Sequence, residues 1–275
     1  MKCIKPIMIQ DKTTGGVLNV PCSRCLPCRV NRARMWSVRI MHEVKLWPEN
    51  SFVTLTYNDE NLPKNNSLCK QDCQKFIKRL RKNLYPAKIK YYLGAEYGDI
   101  GNRPHYHLII FGLGASSQKL LNRTWGKGYV NIGNVTHDSA RYVASYTLKK
   151  LYGPEGEAYY HNKGILPEFS LMSKQPAIGL DFCLKYSEFL KQENSCNVKG
   201  VKVALPRYYV EKLYNDDEKH ILHSLRQEFY DEEKQKLKLK SGLTNEYEIN
   251  EYSQKEAEQA SKNLSARSKL KRKIN

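Results

Sequence analysis

The sequence predicts an α+β fold: an antiparallel sheet with helices on one face, followed by a charged, mostly helical C-terminal region. Three observations predict it. Runs rich in β-branched and aromatic residues alternate with segments of helical apolar spacing between residues 31 and 152. Two of these runs, 88–97 and 105–111, are separated only by the turn-rich "GDIGNRP", so they are expected to pair antiparallel. From about Asp216 onward the chain is highly charged with helical stretches such as "EKHILHSLRQEFYDEEKQKLKLK".

The elements follow in order. "NRARMWSVRIMHEVKL" (31–46) places Trp36, Ile40 and Val44 on one helical face, and Pro48 marks the stop. "SFVTLTY" (51–57) is a strand, and "NDENLPKNN" a loop. "CKQDCQKFIKRLRKNL" (69–84) is a helix with Phe76, Ile77, Leu80 and Leu84 on its apolar face. "KIKYYLGAEY" (88–97) and "HYHLIIFG" (105–112) are strands, and a short strand is expected near Val130 and Ile132. "DSARYVASYTLKKLY" (138–152) reads as a helix capped by Asp138 or Ser139. "GPEGEAYYHNKGILPEF" reads as a loop. "SLMSKQPAIGLDF" (170–182) sets glycine and proline inside an apolar stretch, a pattern that no regular element explains. The expected organisation is a cysteine-rich segment (1–30), a sheet-bearing domain (31–182) and a charged, mostly helical region ending in the basic tail "SARSKLKRKIN" (183–275).

Composition narrows the function classes. The 275 residues are 40% apolar with 19 tyrosines, enough for a core and against disorder throughout. No run approaches a membrane span, and "MKCIKPIMIQ" lacks a signal-peptide pattern, so a soluble protein inside a cell is expected. Net charge is +18, and residues 1–90 alone hold 18 Lys and Arg against 6 Asp and Glu. That excess attracts polyanions, nucleic acid above all, although a solvated helix face is the plain alternative.

Eight cysteines in such a chain are expected to be reduced. Cys22, Cys25 and Cys28 form "CSRCLPC", with Cys3 upstream. Four thiolates satisfy tetrahedral zinc, yet the usual signature is two separated CxxC pairs, so small buried thiols are an equal reading. Cys69, Cys73, Cys183 and Cys196 lack ligand spacing and read as structural.

"RPHYHLIIFG" (103–112) carries the first chemistry. Residues i and i+2 of a strand point to one face, so the imidazoles of His105 and His107 can reach one ion. Leu108 and Ile110 are expected to face the core. Glu96, on the preceding strand across the turn, can bring a carboxylate beside them; Asp99, in the turn, is a weaker stand-in. Two histidines and a carboxylate leave coordination positions open, and with hard oxygen ligands from a phosphate the ion is Mg²⁺ or Mn²⁺. The second constellation is "RYVASYTLKK". Tyr142 and Tyr146 are four apart and share a helix face, which Lys149 and Lys150 continue. Packing against a core is the plain reading of such tyrosines. Beside a metal site, a cation that stabilises phenolate makes them candidate nucleophiles toward a phosphodiester.

In the order "FVTLTY", "RPHYHLIIFG", "YVASYTLKK", the sequence resembles the three motifs of the HUH endonucleases, with Tyr106 as the residue between the histidines. The tyrosine pair resembles the two-tyrosine branch. "PCSRCLPCRVNRARMW" and "LMSKQPAIG" look like microvirus replication initiators of the gokushovirus kind. The resemblance covers roughly residues 1–182, and implies that 31–182 is an HUH nuclease domain with a ferredoxin/RRM-like palm. It implies rolling-circle initiation: His105, His107 and Glu96 hold the divalent ion, and Tyr142 or Tyr146 attacks single-stranded origin DNA. A 5′-phosphotyrosine adduct and a free 3′-OH result, and the second tyrosine serves the rejoining step. Lys150, then Lys149, is the candidate to stabilise phenolate or phosphate charge. With no GxxxxGK[ST] loop in the sequence, a host helicase and polymerase are implied partners, in the host bacterial cytoplasm and with no membrane. The competing class is a non-catalytic, zinc-containing nucleic-acid-binding protein, in which the cysteines matter and the tyrosines merely pack. A metal enzyme unrelated to DNA is the third, disfavoured by the charge.

Overall fold

The structure is a computed structural model that describes residues 2–10, 15–98, 101–146 and 150–274. Two compact units divide the chain: residues 33–209, and residues 1–32 together with 210–275. The smaller unit opens with an antiparallel hairpin, β1 (Ile7–Gln10) and β2 (Val17–Val20).

The larger unit begins within α1 (Leu26–Val44) and is built on one sheet. Its strands are β3 (Asn50–Tyr57), β4 (Lys90–Tyr97), β5 (Pro104–Phe111), β6 (Gly128–Gly133) and β7 (Ser170–Met172). They stand in the order β6–β3–β5–β4–β7, every neighbouring pair antiparallel. One face packs on α2 (Lys70–Leu84) and α3 (Gln118–Trp125). Cys73, Phe76, Ile77 and Leu80 recur at helical spacing on α2 and are all buried, against Val53, Leu55, Leu108 and Ile110 of the sheet. Pro86 prevents α2 from continuing.

The second face is covered as well, contrary to the expectation of helices on one side. Tyr92, Ile109 and Phe111 pack there on Ala33 and Ile40 of α1 and on Ala140, Val143 and Ala144 of α4 (His137–Ser145). The reason is written in "LIIF": an unbroken apolar run offers side chains to both faces of a strand, and both must leave water.

The stretch "GPEGEAYYHNKG" is not a loop but α5 (Pro154–Lys163). Proline opens its first turn with Glu155 and Glu157, and His161 and Lys163 occupy the last turn before the left-handed Gly164. "SLMSKQPAIG" also acquires a mechanism. Its first residues form the edge strand β7, and Ile178 is fully buried in the second core. The Ile178 carbonyl accepts two bonds from Arg39, at 3.0 and 2.9 Å, and the Arg39 guanidinium lies 4.1 Å from the rings of both Trp36 and Tyr208. Gly179, at φ +79°, donates its N–H to Glu43 at 2.6 Å; a Cβ there would lie 2.4 Å from the Tyr209 hydroxyl. Glu43 in turn holds Lys90 at 2.8 Å, a buried pair that ties α1 to β4.

The larger unit ends through α6 (Leu180–Lys185), α7 (Ser187–Glu193), the hairpin β8 (Ser195–Val198) and β9 (Val201–Ala204), and the start of α8 (Arg207–Leu213). The smaller unit closes with α9 (Asp216–Ser241) and α10 (Glu246–Ile274), crosslinked by Lys234–Glu246 and Lys240–Glu256. Among the described residues no helix is long and apolar enough to cross a membrane.

His42 on α1 makes acid stability a test of this packing. It stacks on Phe182 at 4.0 Å, and its Nδ1 lies 3.1 Å from the Tyr209 hydroxyl. Burial, helped by Lys45 and His137, pushes its pKa down to about 4 from an ordinary 6.5. The unfolded chain therefore takes up this proton first. Stability is retained above pH 6.5 and falls as the pH drops toward 4, by about 3 kcal/mol from this group. In urea unfolding at pH 7 and pH 4.5, His42→Phe is expected to narrow the difference between the two; an unchanged difference removes His42 as its source.

Candidate active site

The register of three strands assembles the site. His105 stands between Thr56 on β3 and Glu96 on β4, and His107 between Thr54 and Gly94. All these side chains share one face by the two-residue period, in line with Ile109 and Phe111, while Leu108 and Ile110 enter the opposite core as expected. The Thr54 hydroxyl lies 3.0 Å from His107 Nδ1, and the Thr56 hydroxyl 3.2 Å from His105 Nδ1. With each Nδ1 engaged, Nε2 is the nitrogen left to face a ligand.

Glu96 and His107 are buried, and Glu96 Oε1 lies 3.2 Å from His107 Nε2. That nitrogen makes no aligned hydrogen bond among the described residues, although a carboxylate lies within reach. An acceptor oxygen and an imidazole nitrogen turned toward common space are a donor set that suits a divalent ion. His105 is half-buried and sits further out, its ring centroid 6.3 Å from that of His107. Two glycines clear the space. A Cβ on Gly98 would lie 2.7 Å from His105 Nε2, and a Cβ on Gly94 2.8 Å from Cδ2 of Tyr146.

Both tyrosines of the α4 segment converge on His107. Tyr146 is fully buried and stacks on the imidazole at 4.5 Å, 18° from parallel. Tyr142 is 49% exposed and meets the same ring edge-on at 5.7 Å; the two tyrosine rings are 4.6 Å apart. Tyr106, the residue between the histidines, points the other way. Its hydroxyl lies 3.1 Å from that of Tyr57 in the opposite core, and burial pushes its pKa well up, which excludes it as a nucleophile.

A family model for the ORF2 type of replication-associated protein matches residues 50–151, the span from β3 to just past Lys150. Replication-associated protein VP4 of Bdellovibrio phage phiMH2K is 33% identical over 246 residues, covering 76% of each chain. Replication-associated protein ORF2 of Spiroplasma virus 4 is 33% identical over 260 residues, covering 76% of this chain and 79% of the relative. The chain belongs to this family of phage replication-associated proteins. The resemblance to microvirus initiators drawn from the motifs is thereby borne out. Replication-associated protein ORF4 of Chlamydia phage 1 is 30% identical over 72% of this chain and 55% of its own length. No solved structure matches the chain.

In this replication-associated protein the expected helix 138–152 is shorter than its sequence pattern. Its cap is Thr136, in a capping box with Ser139, and it ends at Ser145. The Ser145 hydroxyl donates to the Tyr142 carbonyl at 2.7 Å, and the N–H of Tyr146 bonds back to Val143, which tightens the last turn. Tyr146 keeps helical dihedrals, so the spacing of the pair survives. Lys150 does not continue a helix face; its Nζ lies 5.4 Å from the Tyr152 ring. Lys149 and Asp99 lie outside the described residues.

The cysteines form a separate cluster in the smaller unit. The sulfurs of Cys3, Cys22, Cys25 and Cys28 all lie within 4.8 Å of one another, a set that can hold a metal such as zinc. Burial raises the Cys22 pKa, but the N–H groups of Cys25 and Arg24 and the thiols of Cys3 and Cys25 outweigh it and hold it at about 6. Burial pushes Cys28 up.

Sequence reading passed over Thr54, Thr56, Gly94 and Gly98. The signal was present: the threonines repeat the two-residue spacing of the histidines, and both glycines stand two residues from Glu96 on its own face. Gly94→Ala forces Tyr146 or the Val143 carbonyl, 3.0 Å from the new Cβ, to give way, which is expected to cost about 1–3 kcal/mol. Chemical denaturation checks this, and the same loss is expected in a Tyr146→Phe background because the ring, not the hydroxyl, makes the contact. An unchanged midpoint would mean that α4 is not seated on Gly94.

Proposed function

We propose that the chain is a rolling-circle replication initiator that nicks single-stranded origin DNA and rejoins it by way of a tyrosine. The observation that carries this reading is the convergence on one imidazole: Glu96 at its Nε2, Thr54 at its Nδ1, and Tyr142 and Tyr146 against its ring. A divalent ion, Mg²⁺ or Mn²⁺, bound by His105, His107 and Glu96, supplies polarisation of the scissile phosphate.

The residues of the chain do the rest. A tyrosine oxygen, having given up its proton, attacks phosphorus, and the bond to the 3′ oxygen breaks. The 5′ phosphate stays on the tyrosine, and the departing 3′ oxygen takes up a proton to become the hydroxyl that primes synthesis. In the return step a 3′-OH attacks the phosphotyrosine and releases the phenol. Thr54 and Thr56 hold the imidazoles in one orientation. Lys150, and Lys149 beside it, supply cations for phenolate or phosphate charge. The single strand is guided by the basic residues of α1 and exposed aromatics, and duplex unwinding and synthesis fall to a host helicase and polymerase.

Incubation with a labelled single-stranded origin oligonucleotide and Mn²⁺ is expected to give a protein–DNA adduct on a denaturing gel. Tyr142→Phe with Tyr146→Phe is expected to abolish it, and an adduct that survives would falsify the tyrosine assignment. His105→Ala in the same assay is expected to lose cleavage while keeping most oligonucleotide binding, because phosphate binding rests on separate basic residues.

The cysteine cluster supports a second component, a structural zinc held by Cys3, Cys22, Cys25 and Cys28. Purified protein is expected to contain stoichiometric zinc, and Cys25→Ser to lose it with a lowered melting temperature. Metal-free protein with an unchanged melting curve sinks the zinc. If zinc is present but no adduct ever forms, the non-catalytic nucleic-acid-binding reading takes over.

A further inference from the structure

Helix α2 packs on the sheet face opposite the histidines, so whatever touches its outer surface is not the phosphate at His107. That surface is strongly basic. The helix carries Lys70, Lys75, Lys78, Arg79, Arg81 and Lys82 against one acid, Asp72. Asp72 is turned inward, accepting from the Tyr57 hydroxyl at 2.9 Å with Lys127 3.5 Å away. Arg79 is tied to the Thr124 carbonyl at 2.8 Å, and Arg81 donates to Ser173 at 3.4 Å. Lys70, Lys75, Lys78 and Lys82 remain, all exposed and outside every ion pair among the described residues. Lys75, Lys78 and Lys82 follow i, i+3, i+7 spacing and make one stripe about 10 Å long.

A plain solvated helix looks different in this same chain. α9 carries seven acidic residues against six basic ones, with the pairs Lys219–Asp216 and Lys236–Glu233, and α10 forms Lys255–Glu251. Such pairs are how an exposed helix balances its charge, and among the described residues α2 has none. Beside the stripe, a groove of about 320 Å³ is lined by Gln74, Ile77, Lys78, Arg81 and Tyr91.

We propose that the outer face of α2 is a second DNA site, which grips duplex by its phosphates without reading sequence. Surfaces for single strands combine basic residues with aromatic platforms for stacking. The lysine stripe contains no aromatic residue, and the exposed Tyr85 lies beyond its end, so duplex is the better occupant. That this duplex flanks the strand being cut rests on the proposed nicking function; the surface itself does not.

The test is the triple variant Lys75→Gln/Lys78→Gln/Lys82→Gln in the full chain, with Lys75→Arg/Lys78→Arg/Lys82→Arg as its partner. Binding to a labelled, fully paired duplex of arbitrary sequence is followed by anisotropy across a salt series. The glutamine variant is expected to bind at least about tenfold more weakly at 0.1 M salt, with a slope of log affinity against log salt shallower by about 3. The arginine variant is expected to match the parent, as is the adduct yield of the glutamine variant on a short single strand. Duplex affinity and slope unchanged in the glutamine variant overturn the proposal, as does a matching fall in adduct yield, which would put the lysines on the cut strand. If the parent forms no adduct at all while duplex binding depends on the lysines, the nickase reading fails and the α2 surface stands.

Discussion

Glu96, His105 and Thr56 lie side by side because β4, β5 and β3 pair in one register, and every other feature of the site depends on that alignment. A slip of one residue would turn His105 and His107 into the core now filled by Tyr106 and Leu108, and bring Tyr106 to the tyrosine-bearing face. The register is held from both sides. Val53, Leu55, Leu108 and Ile110 are locked against α2, and Ile109 and Phe111 against α1 and α4. A sheet buried on both faces cannot exchange its faces without exposing one core, so the stability of the fold and the placement of the imidazoles are one constraint. Because both faces are apolar, the exchange is opposed by shape more than by polarity, and the fully buried Trp125 and Tyr92 supply it.

The approach of α4 to the sheet depends on the absence of a side chain. Gly94 stands opposite His107, and only hydrogen at that position lets the Tyr146 ring lie flat on the imidazole. The same device at Gly98 accommodates His105. The cost of two glycines within or next to a strand is conformational entropy and lost packing. It is offset here by neighbours that would collide with any larger residue.

Local pattern carried much of this into the sequence. The HxH pair, the four-residue spacing of the tyrosines and the position of Glu96 across a short turn are all visible without coordinates, since each rests on a strand or helix period or on a hairpin. The roles of Thr54 and Thr56 are not, because they arise from the pairing of β3 with β5 across some fifty residues of chain. Nor was the second helical layer, because a run such as "LIIF" states that both faces are buried without stating by what. The end of α4 at Ser145 is a matter of one hydroxyl competing with the backbone ladder, which helical periodicity does not register. The partners of Ile178 and Gly179 sit on α1, far away in sequence, so "KQPAIG" could only look irregular.

The paired tyrosines are not equivalent, and the difference follows from how α4 is seated. Tyr142 lies within the helix on its outer side and stays half open to water, whereas Tyr146 follows the last turn and is pressed between Gly94 and His107. Ionising a buried phenol costs more than ionising an exposed one, because the phenolate loses hydration that the neutral form needs less. Under the proposed chemistry the two hydroxyls therefore begin from unequal positions. Tyr142 can meet a strand arriving from solvent without rearrangement. Tyr146 must either receive the phosphate in a closed space or leave its stack on His107, and leaving would uncover the very imidazole that the carboxylate of Glu96 faces. An ordered exchange between two nucleophiles needs some such asymmetry, and here one glycine and one turn of helix provide it.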